Sequence, residues 1–155
     1  MTRTTDTKLN PLFLDRWSPR AFDGSEIPEA DLQTMLDAAR FAPSAINHQP
    51  WRFLYAKRGD ENWERFLSYL MPGNSAWAHR ASALLFILSD TLRGETPFRS
   101  HSFDAGAAWA MLSMQAEMLG YHTHAVGGVD YAAAQAGLGV PDHLKIWAAG
   151  AVGRL

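Results

Sequence analysis

Cysteine is absent from the 155-residue chain, which excludes disulfides, thiol catalysis and sulfur-ligated metal. Charge is sparse too: 19% of residues are Asp, Glu, Lys or Arg, and the net charge is −2. There is no basic stripe for a nucleic acid and no Lys/Arg cluster for anionic lipid. The longest strongly apolar run, Ala83 to Leu88, is far too short to cross a bilayer. The polar lead Met1–Asn10 lacks the apolar stretch of a signal peptide, so a soluble, cytoplasmic protein is expected. No phosphate-loop lysine motif occurs. Gly137-Leu138-Gly139-Val140-Pro141-Asp142 lacks the third glycine and the preceding strand of a dinucleotide fingerprint.

What the chain does have is apolar and aromatic: 47% hydrophobic residues, six tryptophans and eight phenylalanines. A chain of this size buries about 70% of its unfolded surface, so residues 1–155 are expected to form one domain. That many aromatics exceed what one small core readily hides. Part of their area is expected to face a partner subunit or a flat ligand, two settings in which aromatics are enriched.

The pattern predicts a short helix over Leu9 to Trp17, ending near Ser18-Pro19. A second helix is predicted over Pro28 to Phe41, with Pro28 at a first-turn position, Glu29 and Asp31 complementing the dipole, and Leu32, Met35, Leu36 and Ala39 at helical spacing. Pro43 stops it. Trp51 to Ala56 reads as a strand, Asn62 to Leu70 as a helix, Met71-Pro72-Gly73-Asn74 as a turn and Ala83 to Leu88 as a buried strand. After a loop over Asp90 to Ser100, Phe103 to Leu119 reads as a long helix, apolar nearly all round and so buried on several sides, with Gly120 at its C-terminal cap. Strands over His124 to Val129 and Ile146 to Val152 flank a short helix over Ala132 to Gly137. This mixture is not the regular βαβ run of a dinucleotide fold, and the class expected is α+β.

Three stretches carry candidate chemistry. In Arg16-Trp17-Ser18-Pro19-Arg20-Ala21-Phe22, a spacing of two in an extended segment turns Arg16, Ser18 and Arg20 to one side. Two guanidinium groups and a hydroxyl match a phosphate monoester, although spacing alone favours solvated surface charge. Ala42-Pro43-Ser44-Ala45-Ile46-Asn47-His48-Gln49-Pro50-Trp51-Arg52 is a small-residue loop. Its amides offer donor and acceptor to the polar rim of a flat ring; read by itself it is a helix-stopping loop before a strand. Gly127-Gly128 in Ala125-Val126-Gly127-Gly128-Val129-Asp130 is either a plain strand-end turn or a place for close ligand approach.

In this order the stretches resemble the signature of the nitroreductase-like flavin oxidoreductases, from about Leu12 to Leu155. The resemblance implies a central, mainly antiparallel sheet flanked by helices, a homodimer and an FMN cofactor. It implies reduction of FMN by NAD(P)H and hydride transfer, in ping-pong fashion, to an electron-poor acceptor such as a nitroaromatic or quinone. The flavin would carry the chemistry, so no protein acid or base is needed. By the resemblance Arg16 and Ser18, with Trp17 between them, bind the FMN phosphate, and Arg20 reaches the pyrimidine edge. Pro43, Ser44, Ala45, Asn47 and Gln49 come from the other subunit, Ala45 standing where the family's second serine usually is. Gly127 and Gly128 lie against the isoalloxazine near N5, and Asn74 matches an asparagine that contacts the ring. Some relatives carry a glutamate where this chain has Gly127.

Family members usually continue for several tens of residues past the strand that here ends in Val152-Gly153-Arg154-Leu155. That tail crosses to the partner and adds basic residues to the phosphate site; without it, weaker FMN binding is expected. The rival expectation is a flavin-binding or dimerisation module with little turnover, and a third is an oxidase or dehydrogenase on the same fold. Trp77, His79, Phe98 and His101 are candidates for the acceptor side. His122 and His124 share a strand face but lack a third ligand, so no metal is expected. Asp104 reads as a dipole partner and Ser113 as buried-helix material.

Overall fold

The computed structural model describes residues 3–155, so Met1 and Thr2 of the polar lead lie outside the described residues. Four antiparallel strands form the sheet: β1 (Trp51–Lys57), β2 (Ala83–Asp90), β5 (His122–Val126) and β6 (Leu144–Gly153), in the order β1-β2-β6-β5. A two-stranded ribbon, β3 (Leu92–Arg93) with β4 (Thr96–Pro97), occupies part of the segment read as loop.

β2 is central, and Ala83 through Ser89 are all buried. Its alternate residues feed two cores. Leu84, Phe86 and Leu88 join Trp63, Phe66, Val126, Ile146 and Ala149 on one face, while Ala83 and Leu85 join Leu32, Met35, Ala105, Ala108 and Leu112 on the other. Fully burying each large apolar side chain stabilises by about 1.5–3 kcal/mol, so two covered faces account for the run without polar interruption. α2 (Glu29–Arg40) and α5 (His101–Met118) cover the second face; α3 (Trp63–Ser68), α4 (Pro72–Ala78) and α6 (Tyr131–Gly137) cover the first. α1 (Pro11–Asp15) is capped by Asn10, whose Oδ1 accepts Leu12 N–H at 3.0 Å, and lies beside α5.

The α+β class and the antiparallel sheet with flanking helices agree with the expectation. Besides the ribbon, three local readings need correction. β5 runs over His122–Val126 and stops before the glycine pair, not over His124 to Val129. Met71–Asn74 is not a turn: Pro72 starts α4 at its first position, where its fixed φ and missing N–H cost nothing. α5, expected to be covered on several sides, carries a bare stripe of Phe103, Gly106, Ala110, Met111 and Met118 at helical spacing. Gly120 closes α5 with φ 76°, the left-handed cap position. Among the described residues no helix is long and apolar enough to cross a membrane.

Candidate functional site

β5 is an edge strand, and the segment after α1 straps across it. Thr123 and Ala125 pair with Val152 and Gly150 and so point toward α5; His122, His124 and Val126 point to the opposite face. Arg16 Nη1 donates to Thr123 Oγ1 at 3.5 Å on the α5 face, whereas His124 Nδ1 lies 2.8 Å from Pro19 O on the other. The segment therefore changes face between Arg16 and Pro19.

On the α5 side this strap borders a cleft of about 430 Å³ lined by Phe13, Arg16, Ser18, Trp109, Ala110, Ser113, Met114 and Ala125. Arg16 is half-buried, and its Nη2 donates to Ser18 Oγ at 3.1 Å. No carboxylate lines the cleft, so the guanidinium keeps its charge available to an anion. Ser113, only 3% exposed, has an Oγ without a hydrogen-bond partner. An orphaned buried hydroxyl costs about 1–3 kcal/mol and is relieved by an acceptor or donor arriving from the cleft. Small residues form the floor, since Ala125 lies across from Gly150 in the β5–β6 register.

Arg20 is exposed and lies past the strap, outside the cleft lining, as does Trp17, whose indole meets His122 edge-on at 6.4 Å. Gly127 and Gly128 follow β5 directly. A Cβ at Gly128 would collide with Asn74 Nδ2, and that same nitrogen donates to Gly128 O at 3.2 Å. The structure thus joins Asn74 to the glycine turn. Gly127 is less constrained: a Cβ there has only Tyr131 Oη nearby, at 3.9 Å. Tyr131 Oη lies 3.0 Å from both Gly127 O and Trp147 O and donates its one proton between them, fastening the turn to β6.

The Pro43–Gln49 loop lies elsewhere. It leads into β1, the edge opposite β5, across three strand spacings or about 14 Å of sheet. Among the described residues no hydrogen bond joins it to the Arg16 segment. Its backbone is unusual: Ile46, Asn47 and Gln49 have φ of 50°, 56° and 54°. Left-handed geometry costs on the order of 1 kcal/mol or more for a non-glycine residue, most for β-branched Ile46. Several bonds hold it there. Ser44 Oγ accepts Gln49 N–H at 3.0 Å, His48 Nε2 lies 3.1 Å from Leu92 O, and Asp104 Oδ2 accepts Ala45 N–H at 3.2 Å and the Ser100 hydroxyl at 3.1 Å. Pro43, Ala45, Ile46, Asn47 and Gln49 remain exposed.

Asp104, expected only as a dipole partner at the start of α5, does more than that. It is 2% exposed and grips a loop 59 positions earlier, a long-range role with no local sequence signal. The four acceptor-side candidates fall into two groups. Trp77 packs on His124 with ring centroids 4.7 Å apart, and His79 is exposed beyond it on the α4 side. Phe98 meets His48 at 4.4 Å and His101 Nδ1 lies 2.8 Å from Ser89 Oγ, both near the start of α5. His122 faces Glu117 Oε2 at 3.2 Å. Among the described residues no group of three or more His, Asp or Glu is placed to hold a metal ion.

Residues 14–71 and 56–154 match the model of the nitroreductase family. A crystal structure described as an oxidoreductase containing FMN superposes with a TM-score of 0.95 at 51% identity, over 99% of this chain and 80% of that one. A 15.4 kDa protein of Mycolicibacterium smegmatis, uncharacterised, is 36% identical over 112 residues, covering 67% of this chain and 75% of its own. An Archaeoglobus fulgidus protein, provisionally named an NADH dehydrogenase/NAD(P)H nitroreductase, is 29% identical over 105 residues; the match spans 68% of this chain but only 59% of that protein.

Proposed function

The chain belongs to the nitroreductase family, and from that premise we propose that it is an FMN-dependent oxidoreductase acting as a homodimer, with the cleft beside β5 as its cofactor site. The observation that carries this reading is the Arg16–Ser18 pair, bonded at 3.1 Å in a cleft without carboxylates. A phosphate monoester bears close to two negative charges at neutral pH, and a guanidinium with a neighbouring hydroxyl satisfies its oxygens. The 51% identical neighbour, which contains FMN by its description, supports the same assignment.

The residues present fit that cofactor. Arg16 and Ser18 would hold the phosphate, with Trp17 shielding the strap. The unpartnered Ser113 hydroxyl and the Trp109 and Met114 side chains offer one polar and two apolar contacts in the cleft. Arg20, exposed past the strap and outside the cleft lining, would bring positive charge to the pyrimidine edge where the ring extends beyond the cleft, the place at which negative charge accumulates on reduction. The Gly127-Gly128 turn would present backbone N–H groups to the ring, fixed from behind by Asn74. When bound, FMN supplies hydride exchange between NAD(P)H and an electron-poor acceptor, nitroaromatic or quinone-like, each using the pocket in turn.

Pro43, Ser44, Ala45, Asn47 and Gln49 would complete the site from the second protomer. Two features support this. The loop and the Arg16 cleft belong to opposite edges of one sheet. The bare α5 stripe, with Phe103 81% and Met118 63% exposed, is apolar surface of the kind an obligate dimer covers.

Absorbance spectra of the purified protein with FMN, before and after NADH or NADPH, test the reading. A yellow protein bleached by a reduced nicotinamide and recoloured by a quinone is the expected result. A colourless chain that stays inert after FMN addition overturns it.

A further inference from the structure

We propose that Asp104 is a positioning residue for the cofactor site of the opposite protomer: by clamping the Pro43–Gln49 loop onto α5, it sets where that loop reaches the partner's cleft. This rests on the reading of the β5 cleft as the FMN site.

Three observations converge on it. The carboxylate is 2% exposed yet forms no ion pair among the described residues; instead Oδ2 takes the Ala45 N–H at 3.2 Å and the Ser100 hydroxyl at 3.1 Å. The first turn of α5 favours a carboxylate there, but one of its two bonds is spent on a backbone N–H of the Pro43–Gln49 loop rather than on the helix itself. Next, the clamped loop holds Ile46, Asn47 and Gln49 in left-handed backbone conformations. Such conformations persist only where the surroundings over-determine them, and they cluster at ligand clamps. Lastly, Asp104 stands on the helix that also supplies Trp109, Ala110, Ser113 and Met114 to the cleft and Phe103, Met111 and Met118 to the bare stripe.

α5 is therefore a shared beam. One helix carries the loop at its first turn and the cleft wall at its middle, and its uncovered side is where a second copy fits. If the two α5 helices pack together, the span from each loop to the partner's cleft is set by helix packing and by the Asp104 clamp. Releasing the clamp leaves the cleft intact but lets the loop drift, so the partner's site loses the contacts that the loop would make.

The test is a complementation experiment on FMN binding. Wild-type, Asp104→Ala, Asp104→Asn and Arg16→Ala proteins are titrated with FMN by fluorescence, with light scattering and thermal melting as controls. Asp104→Ala is expected to stay dimeric and bind FMN at least 10-fold more weakly. Asp104→Asn, which keeps one acceptor oxygen for Ala45 N–H, should fall between it and wild type and serves if the alanine variant does not fold. Mixed dimers are then made with Arg16→Ala on one protomer and Asp104→Ala on the other. Acting across the interface, the two defects land in the same site, and each mixed dimer regains one tight FMN site of two. Mixed dimers with no tight site overturn the proposal, because Asp104 would then serve its own protomer's cleft. Unchanged FMN affinity in Asp104→Ala also overturns it, whatever happens to the melting temperature. A wild-type protein that binds no FMN overturns the functional reading itself, and is told apart by needing no variant.

Discussion

The indole of Trp109 lies directly on Gly150: a Cβ at that glycine would come within 2.8 Å of both Cη2 and Cζ3. Because Trp109 lines the cleft and Gly150 pairs with Ala125, the glycine decides how deep the cleft is. Gly150→Ala should lift the indole into it, and the 1–3 kcal/mol usual for overpacking, exacted on cofactor entry, is about 5–150-fold in FMN affinity. Pairing it with Trp109→Phe should restore binding in a fluorescence titration. Equal affinity of Gly150→Ala and wild type would show that the indole does not bound the cofactor space.

Arg16→Gln removes the one cation that both lines the cleft and bonds Ser18. A hydrogen bond to a charged group is worth about 1.5–3 kcal/mol, so the FMN dissociation constant should rise by about 10–150-fold. Ser18→Ala removes a lesser contact and should cost under about 10-fold. Calorimetry across a salt series checks the electrostatic origin: wild-type binding should weaken with salt more steeply than that of Arg16→Gln.

Phe103 is 81% exposed at the first turn of α5. Phe103→Asp therefore removes little from the single chain, but places a charge on the proposed interface. Light scattering should report a monomer with nearly wild-type circular dichroism, and FMN binding should be lost along with the dimer. A dimer that survives the substitution would move the interface off α5.

Neighbouring glycines should respond unequally. Gly128→Ala drives a methyl into Asn74 Nδ2, whereas Gly127→Ala meets nothing closer than 3.9 Å. The first should destabilise by about 1–3 kcal/mol, the second by under about 1. Adding Asn74→Ala should recover much of the loss in Gly128→Ala, a coupling that a urea-melt double-mutant cycle would measure.

Glu29 ties the start of α2 to β1: Oε1 accepts Gln33 Nε2 at 2.7 Å and Tyr55 Oη at 2.8 Å, and Oε2 lies 3.0 Å from Lys57 Nζ. These hydrogen bonds, Gln33 foremost, then those of Lys57 and Tyr55, lower its pKa from 4.5 to about 2. A carboxylate with a depressed pKa adds stability above its unfolded value, and that stability is lost as pH falls toward the folded one. The difference between wild type and Glu29→Gln in thermal melts should hold steady above pH 4.5 and fade between there and about pH 2. Solvent exposure keeps it small.

Much of this architecture is legible in the sequence. α2 begins within a residue of its predicted start because Pro28, Glu29 and Asp31 are local signals that packing did not override. β2 was visible as an unbroken apolar run for the same reason, since a strand covered on both faces has no polar alternation to hide it. The Met71–Asn74 segment misled because Pro-Gly-Asn is turn chemistry, while Pro72 is equally suited to opening a helix. Of the candidate residues, Arg16 with Ser18 and Asn74 with Gly128 come together in the fold. The separation of the Pro43 loop from the Arg16 strap was beyond reach, because it depends on strand order, which pairing across the sheet decides. Asp104 was undervalued because its partners are a backbone N–H and a hydroxyl, neither of which leaves a charge pattern to detect.

The strap from Arg16 to Pro19 has a second consequence. An unguarded border strand offers a row of free amides and carbonyls on which another chain can template itself. Here the residues proposed to grip a nucleotide also fence that border, tied down on one side by Thr123 and on the other by His124. Losing the strap would therefore cost the molecule its solubility together with its ligand, which ties keeping the grip to avoiding fibrous self-assembly.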